Sequence, residues 1–179
     1  MVSQTSSSGT GDMTALEYPD GHFDAVVCVF GVFFVPDMEG LVKELWRVVK
    51  RGGKLAITTW GSDFFEPMYT QYREAIREMR PDLYSAFNPW DRITTIPQVE
   101  RLLHNGGVPN PVVEAEDSVQ PLAMPKDWWT VALGSELRGT IDVMEAAQAE
   151  QIKANNTAWA RENAVSRIST NTIYAVGTK

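Results

Sequence analysis

Few residues in this chain are placed for covalent chemistry. The one cysteine, Cys28, lies inside an apolar run over residues 23–30, where a small buried hydrophobe is expected and a nucleophile is not. His22 sits in a polar turn and His104 near a helix end. Neither has a partner at metal-ligand spacing, and no zinc, calcium or P-loop pattern occurs, so no metal is expected. Gly52-Gly53 closes a helical pattern instead of opening one, which makes it a stop and not a phosphate cradle. Gly9-Thr10-Gly11 spells GxG, but no strand pattern precedes it and no helix pattern follows. What remains is binding chemistry. Val29, Phe30 and Gly31 follow the C-terminal end of an apolar strand, the place where open α/β sheets hold ligands. Phe33, Phe34, Trp60, Phe64, Phe65, Trp90, Trp128 and Trp129 are candidates for an apolar pocket, with core packing as the competing role. Two phenylalanines at 33 and 34 supply no acid or base, so a ligand there meets an apolar neighbourhood. No catalytic residue is assigned.

The elements that must position these side chains follow from periodicity. Residues 23–30 are nearly continuously apolar and β-branched, the pattern of a strand covered on both faces. Asp37 is a helix cap, with Glu39 in the first turn. Met38, Leu41, Val42, Leu45, Trp46 and Val49 share one helical face. Lys50 and Arg51 suit the negative end of that helix, and Gly52 a left-handed stop. Residues 54–60 form the next strand, completing a βαβ unit. Tyr69, Tyr72, Ile76 and Met79 space as a helix ending before Pro81, and 81–94 is an irregular loop. Thr95 and Gln98 pair at the start of a helix that buries Val99, Leu102 and Leu103. Residues 111–122 are one extended strand whose Glu114, Glu116 and Asp117 face solvent. Residues 126–133 and 140–161 are helical, the second on the surface, and 170–178 is a closing strand. The expected order is β-α-β-α-α-β-α-α-β, an α/β fold with about four strands in its sheet.

Composition bounds the partners. The chain has 179 residues, 44% hydrophobic and 22% charged, and a net charge of −7. That balance suits one soluble domain with a sizeable core and disfavours nucleic acid. No apolar run is long enough to span a bilayer, and the polar start MVSQTSSSG is no secretory signal. The expected location is cytoplasmic. Residues 1–10 are expected to be a disordered leader, and 11–179 a single domain.

Several motifs, in order, resemble class I S-adenosylmethionine (SAM)-dependent methyltransferases of the kind that includes ubiquinone and menaquinone biosynthesis enzymes. They are Gly11-Asp12, the turn YPDGHFD at 18–24, the strand after it, Val35-Pro36-Asp37 and the helix carrying LWRVVKRGG. VERLLHNGGV at 99–108, Trp128-Trp129, LGSELRG at 133–139 and TIYAVGTK at the end match more loosely. The resemblance implies a partial Rossmann-like sheet, the family's strands four to seven with helices on both faces. The strands that carry its glycine-rich cofactor turn and its ribose-binding acid are not represented. It implies that Asp12 accepts a hydrogen bond from the adenine amino group of SAM, that Met13 covers the ring, and that Val29, Phe30 and Gly31 face the methionine end. Asp24 anchors the strand start. A small apolar acceptor is expected against Phe33, Phe34, Trp60, Trp90 and Trp128. Many relatives carry a His pair where this chain has Phe33-Phe34.

On this reading the first strand is a sheet edge, exposed along one side. Exposed apolar edges invite pairing, so the chain is expected to be a homo-oligomer or to be complemented by a separate N-terminal half. The expected function is a methyltransferase-like protein not active alone. The alternative is a noncatalytic remnant that binds a ligand or partner.

Overall fold

The computed structural model describes residues 10–179. The expected leader, apart from Thr10, lies outside the described residues. The chain divides into two compact units. One comprises the residues up to Thr59 with Ile96–Glu114 and Tyr174–Lys179, and the other Trp60–Thr95 with Ala115–Ile173.

The first unit is built on a four-stranded sheet. Its strands are β1 (Phe23–Val29), β2 (Val49–Trp60), β3 (Val112–Glu116) and β6 (Thr172–Thr178), in the order β1-β2-β6-β3. β1 and β2 run parallel, with Val26 opposite Leu55, Cys28 opposite Ile57 and Val29 opposite Thr58. Helix α1 (Met38–Val48) connects them, which gives the expected βαβ unit. Gly52 and Gly53 exchange backbone hydrogen bonds with Lys179, while Gly61 donates to Asn171, so β6 runs antiparallel to β2. The α/β class and the four-stranded sheet are as the sequence led us to expect.

Asp37 caps α1, its Oδ1 accepting from the Gly40 N–H at 2.8 Å. The helix buries Met38, Leu41, Val42, Leu45 and Val48, each worth roughly 1.5–3 kcal/mol when fully buried. It ends earlier than its charge pattern suggested. Val49 is already extended (φ −73°, ψ 134°), and Lys50 and Arg51 belong to β2. Arg47 occupies the last turn instead. Gly52 does take a left-handed conformation (φ 78°), but inside the strand. A β-branched pair, Val48-Val49, favours the switch to strand before the glycines are reached. Helix α3 (Ile96–Asn105) buries Val99, Leu102 and Leu103 and packs on α1.

The second unit is mostly helical: α2 (Met68–Met79), a 3-10 turn over Pro89–Ile93, α4 (Asp127–Leu133), α5 (Arg138–Asp142) and α6 (Ala146–Glu162). It also holds an antiparallel ribbon of β4 (Val119–Pro121) and β5 (Arg167–Ser169). Two sequence expectations are corrected here. The single strand over 111–122 is two strands, β3 and β4, in different sheets, divided at Asp117-Ser118, where Ser118 turns its N–H to the Asn171 side chain. The helix expected over 140–161 is two helices. It breaks before Glu145, which is extended and forms a capping box with Gln148 at the start of α6. α6 also reaches the core, burying Ile152, Asn156 and Ala160.

The core of this unit gathers Phe64, Phe65, Met68, Tyr72, Trp128 and Ile168, among others. Trp128 is 1% exposed. Its indole N–H donates to Asn156 Oδ1 at 3.1 Å, and its ring meets Phe65 edge-on at 5.9 Å.

Candidate functional site

In the first unit, the residues expected near a cofactor lie on the segment before β1 and at the C-terminal end of β1. Arg47 of α1 organises the segment. Its guanidinium donates to the carbonyls of Leu16 and Tyr18 at 2.9 and 2.8 Å and pairs with Asp20 and Glu44. The Glu44 carboxylate in turn accepts from the Leu16 N–H at 2.8 Å. The hydrogen bond from Arg47 holds the Glu44 carboxyl below its ordinary pKa. Asp12 is exposed, and its Oδ1 accepts from the Thr14 N–H and hydroxyl at 2.8 and 2.7 Å. Those two bonds lower its pKa, so it is an ionised acceptor at neutral pH. Met13 is 39% exposed.

At the end of β1, Val29 is 60% exposed. Phe30 has a positive φ of 48°, costly for a bulky residue by about 1–3 kcal/mol. Its N–H is held by the Thr58 carbonyl at 3.1 Å and the Thr58 hydroxyl at 3.2 Å. Gly31 leads into a 3-10 turn over Val32–Phe34. Phe33 is buried in that turn, whereas Phe34 is exposed. Burial pushes the Cys28 thiol up from its usual pKa, consistent with an unreactive strand residue.

The other three expected pocket residues, Trp60, Trp90 and Trp128, belong to the second unit. Trp60 stacks on Phe64 at 5.2 Å, and Trp90 meets Phe64 edge-on at 5.8 Å. Phe64 also touches Phe65, which carries Trp128, so one aromatic cluster gathers all three tryptophans. Trp90 lines a cavity of about 90 Å³, together with Tyr69, Tyr72, Arg73, Tyr84 and Glu136. Trp128 does not line it and sits in the core.

Sequence reasoning missed most of this cavity. Tyr69 and Tyr72 were placed on a helix face by spacing, but Arg73, Tyr84 and Glu136 carried no signal. The cavity's polar groups largely serve one another. Asn88 Nδ2 donates to the Tyr69 hydroxyl at 2.7 Å, and the Tyr72 hydroxyl to the Leu137 carbonyl at 3.3 Å. Arg73 donates to the Tyr84 hydroxyl and the Ser85 carbonyl, and its guanidinium lies over the Tyr69 and Tyr84 rings. Burial raises both phenols, Tyr72 to about 12 and Tyr69 further, so neither is a base near neutral pH. Burial also raises the Glu136 carboxyl, with smaller opposing effects from its own backbone and from Trp60.

Comparison with known proteins places the fold. Residues 3–57 match a family described as "Methyltransferase domain". Demethylmenaquinone methyltransferase from Renibacterium salmoninarum is 37% identical over 81 residues, 44% of this chain and 34% of that protein. Sterol 24-C-methyltransferase from Aspergillus fumigatus is 40% identical over 50 residues, 28% of this chain and 13% of that protein. A solved structure of a methyltransferase candidate from an antibiotic biosynthesis pathway of Anabaena variabilis covers 96% of this chain with a TM-score of 0.60 at 18% identity. The match takes in 72% of that structure's chain. The fold is Rossmann-like and similar to that of methyltransferases of known structure.

The chain spans a third or less of the length of the first curated relatives it matches. The family model takes in the Asp12 segment, β1, α1 and most of β2, the part in which the class I resemblance is most specific. The residues present there fit part of a SAM site. Asp12 offers an exposed, ionised acceptor for an N–H group, while Met13 and Val29 offer exposed apolar surface. Among the described residues there is no cluster of His, Cys, Asp and Glu able to hold a metal ion. No helix among them is long and apolar enough to cross a membrane.

Proposed function

We propose that this chain is part of a cytoplasmic SAM-dependent methyltransferase for a small-molecule acceptor, with a cofactor site completed by a second polypeptide segment. The end of β1 carries this reading: a strained Phe30 beside an exposed Val29, at the strand end of a parallel βαβ unit. Strain of this kind persists where the surroundings enforce it and concentrates at ligand sites. The names of the relatives, which include demethylmenaquinone and sterol methyltransferases, support a small-molecule acceptor.

SAM, when bound, supplies an electrophilic sulfonium methyl group. The chain's own residues bind and orient. Asp12 accepts a hydrogen bond from the adenine amino group, and Met13 covers the ring. Val29, Phe30 and Gly31 form the wall toward the methionine end. Phe33 and Phe34 keep the acceptor's surroundings apolar and exclude water, so rate enhancement rests on alignment and desolvation, with no side chain acting as acid or base at those two positions.

Calorimetry with SAM and with S-adenosylhomocysteine tests the reading. Weak heat from the chain alone, rising when a complementing N-terminal segment is added, is the expected result. Asp12→Ala should weaken binding by roughly tenfold, the value of one hydrogen bond to a charged group. No heat in either condition would end the cofactor reading.

The second segment is expected on β1. This strand is the edge of the sheet, and its Val27 and Val29 are 63% and 60% exposed. We expect a dimer, or a complex with a separate front half, at micromolar concentration by light scattering, and Val27→Lys should dissociate it. A clean monomer of the unmodified chain under those conditions would contradict this. The second reading, a ligand-binding remnant without catalysis, is favoured by the aromatic cavity, whose lining comes wholly from the second unit. A ligand retained through purification, with no response to SAM, would select it.

A further inference from the structure

Arg73 differs from its neighbours in the second unit. Arg77 pairs with Glu74, Arg80 with Asp82 and Arg138 with Asp142. Arg73 has no carboxylate partner among the described residues. Its Nη2 donates to the Tyr84 hydroxyl at 3.2 Å and to the Ser85 carbonyl at 2.8 Å. Its guanidinium lies over the Tyr69 and Tyr84 rings, 5.6 and 5.2 Å from their centroids. A guanidinium carries several N–H donors in a planar fork. Most of them are unspent here, and the positive charge meets only ring faces on the wall of the cavity that Arg73 lines.

The two tyrosines add donors of their own. Arginine cannot accept a hydrogen bond, so the Tyr84 oxygen is the acceptor in its contact with Arg73, and its O–H is left over. The Tyr69 oxygen accepts from Asn88 Nδ2 at 2.7 Å, and its O–H likewise has no acceptor among the described residues. Tyr69 is 8% exposed, so the cavity that it lines is where that proton finds a partner. Glu136 does not answer these donors. Its carboxyl is already bonded by the Trp60 side chain and by its own backbone N–H, and burial favours its neutral form. The wall thus offers one positive charge and two hydroxyl protons with nothing to receive them.

We propose that this cavity binds the carboxylate of a small aromatic acid, with Arg73 as its charge partner and the Tyr69 and Tyr84 hydroxyls as further donors. The planar fork of an arginine suits a carboxylate, which it meets with parallel N–H bonds. The surrounding rings suit a flat body. The cavity, at about 90 Å³, is smaller than the roughly 150 Å³ apolar cavity known to take up benzene. It opens toward solvent, so it seats the acidic end of a ligand whose remainder lies outside. The proposal rests on the second unit alone and stands whether or not the chain binds SAM.

Three probes of one shape and different charge test it: benzoate, benzamide and benzamidine, titrated without SAM and followed by protein NMR. Benzoate should bind at least ~10-fold more tightly than neutral benzamide, the usual effect of a hydrogen bond to a charged group, and cationic benzamidine should be the weakest of the three. In Arg73→Gln the advantage of benzoate over benzamide should fall below about threefold, since the charge is removed and an amide donor is kept. A second readout does not depend on that variant folding. In the unmodified protein the Arg73 Nε–H resonance should shift on adding benzoate, while those of Arg80 and Arg138, each already paired with an aspartate, stay still. No binding of benzoate up to about 10 mM, benzamidine binding as tightly as benzoate, an advantage that survives Arg73→Gln, or a stationary Arg73 resonance would each overturn the proposal.

Discussion

Trp128→Ala should cost the second unit about 3–5 kcal/mol, the range for removing a fully buried indole. The side chain is 1% exposed, and its N–H is the partner of Asn156 Oδ1. The substitution therefore opens a large cavity and strands a buried amide at the same time. Asn156 would keep only a 3.4 Å bond from its Nδ2 to the Gln71 carbonyl. A domain is stable by about 5–15 kcal/mol in all, so the second unit should be largely unfolded at room temperature in mild urea. Trp128→Phe separates the two losses. It keeps a ring near Phe65 but removes the N–H, and should cost about half as much. Urea denaturation read by near-ultraviolet circular dichroism checks both. A Trp128→Ala midpoint close to that of the unmodified protein would mean that Trp128 is a pocket wall with room to spare, the role its type suggested before its surroundings were known.

That contrast shows what the sequence could and could not convey. β1, α1 and β2 were legible because their patterns are local. Apolar continuity marks a strand, although not the covering expected on both faces, since Val27 and Val29 are 63% and 60% exposed at the sheet edge; the spacing of Met38, Leu41, Val42 and Leu45 marks a helix face, and Asp37 announces its cap. The end of α1 was misplaced because two signals competed. The charges at Lys50 and Arg51 suit a helix end, but β-branched Val48-Val49 and the pairing of Phe23 with Val49 in the ladder draw the chain into strand first. The split of 111–122 was hidden because nothing in the run says which sheet each half joins. Val112–Glu116 joins the four-stranded sheet, while Val119–Pro121 pairs with Arg167–Ser169, almost fifty residues later, in the ribbon.

The candidate sites divide in the same way. Asp12, Met13, Val29, Phe30 and Gly31 were proposed from a family resemblance together with the rule that ligands meet open sheets at strand ends. The strain at Phe30 is an addition the sequence could not supply, since φ is decided by the contacts on either side. Glu136 illustrates the opposite limit. Its segment, LGSELRG, was noted only as a loose match, and a glutamate between Ser135 and Leu137 reads as surface. It lines the cavity because Leu137 is buried and the short turn between α4 and α5 fixes the backbone around it. A carboxyl in that position is recognisable only when its neighbours, gathered from Tyr69 through Thr140, are in place.

Gly106→Ala should destabilise the first unit through a single contact, and Val42→Ala should relieve it. Gly106 follows α3, its N–H bonding to the Leu102 carbonyl at 3.0 Å. A Cβ there would fall onto Val42 Cγ1 and within 2.6 Å of Val42 Cβ. Val42 is fully buried on α1 and cannot move aside freely. Overpacking of this kind costs about 1–3 kcal/mol. Val42→Ala alone also destabilises, by leaving a small void. Together the added methyl occupies the space that the valine vacates, so the double variant should be more stable than the sum of the two losses predicts by about 1 kcal/mol or more. Urea melts of the four proteins measure that coupling. Losses that simply add would mean that α1 and α3 slide apart to admit the methyl group. Because α1 begins at Met38, four residues after the turn that holds Phe33 and Phe34, such sliding would also displace that turn, whereas a tight helix contact would leave it in place.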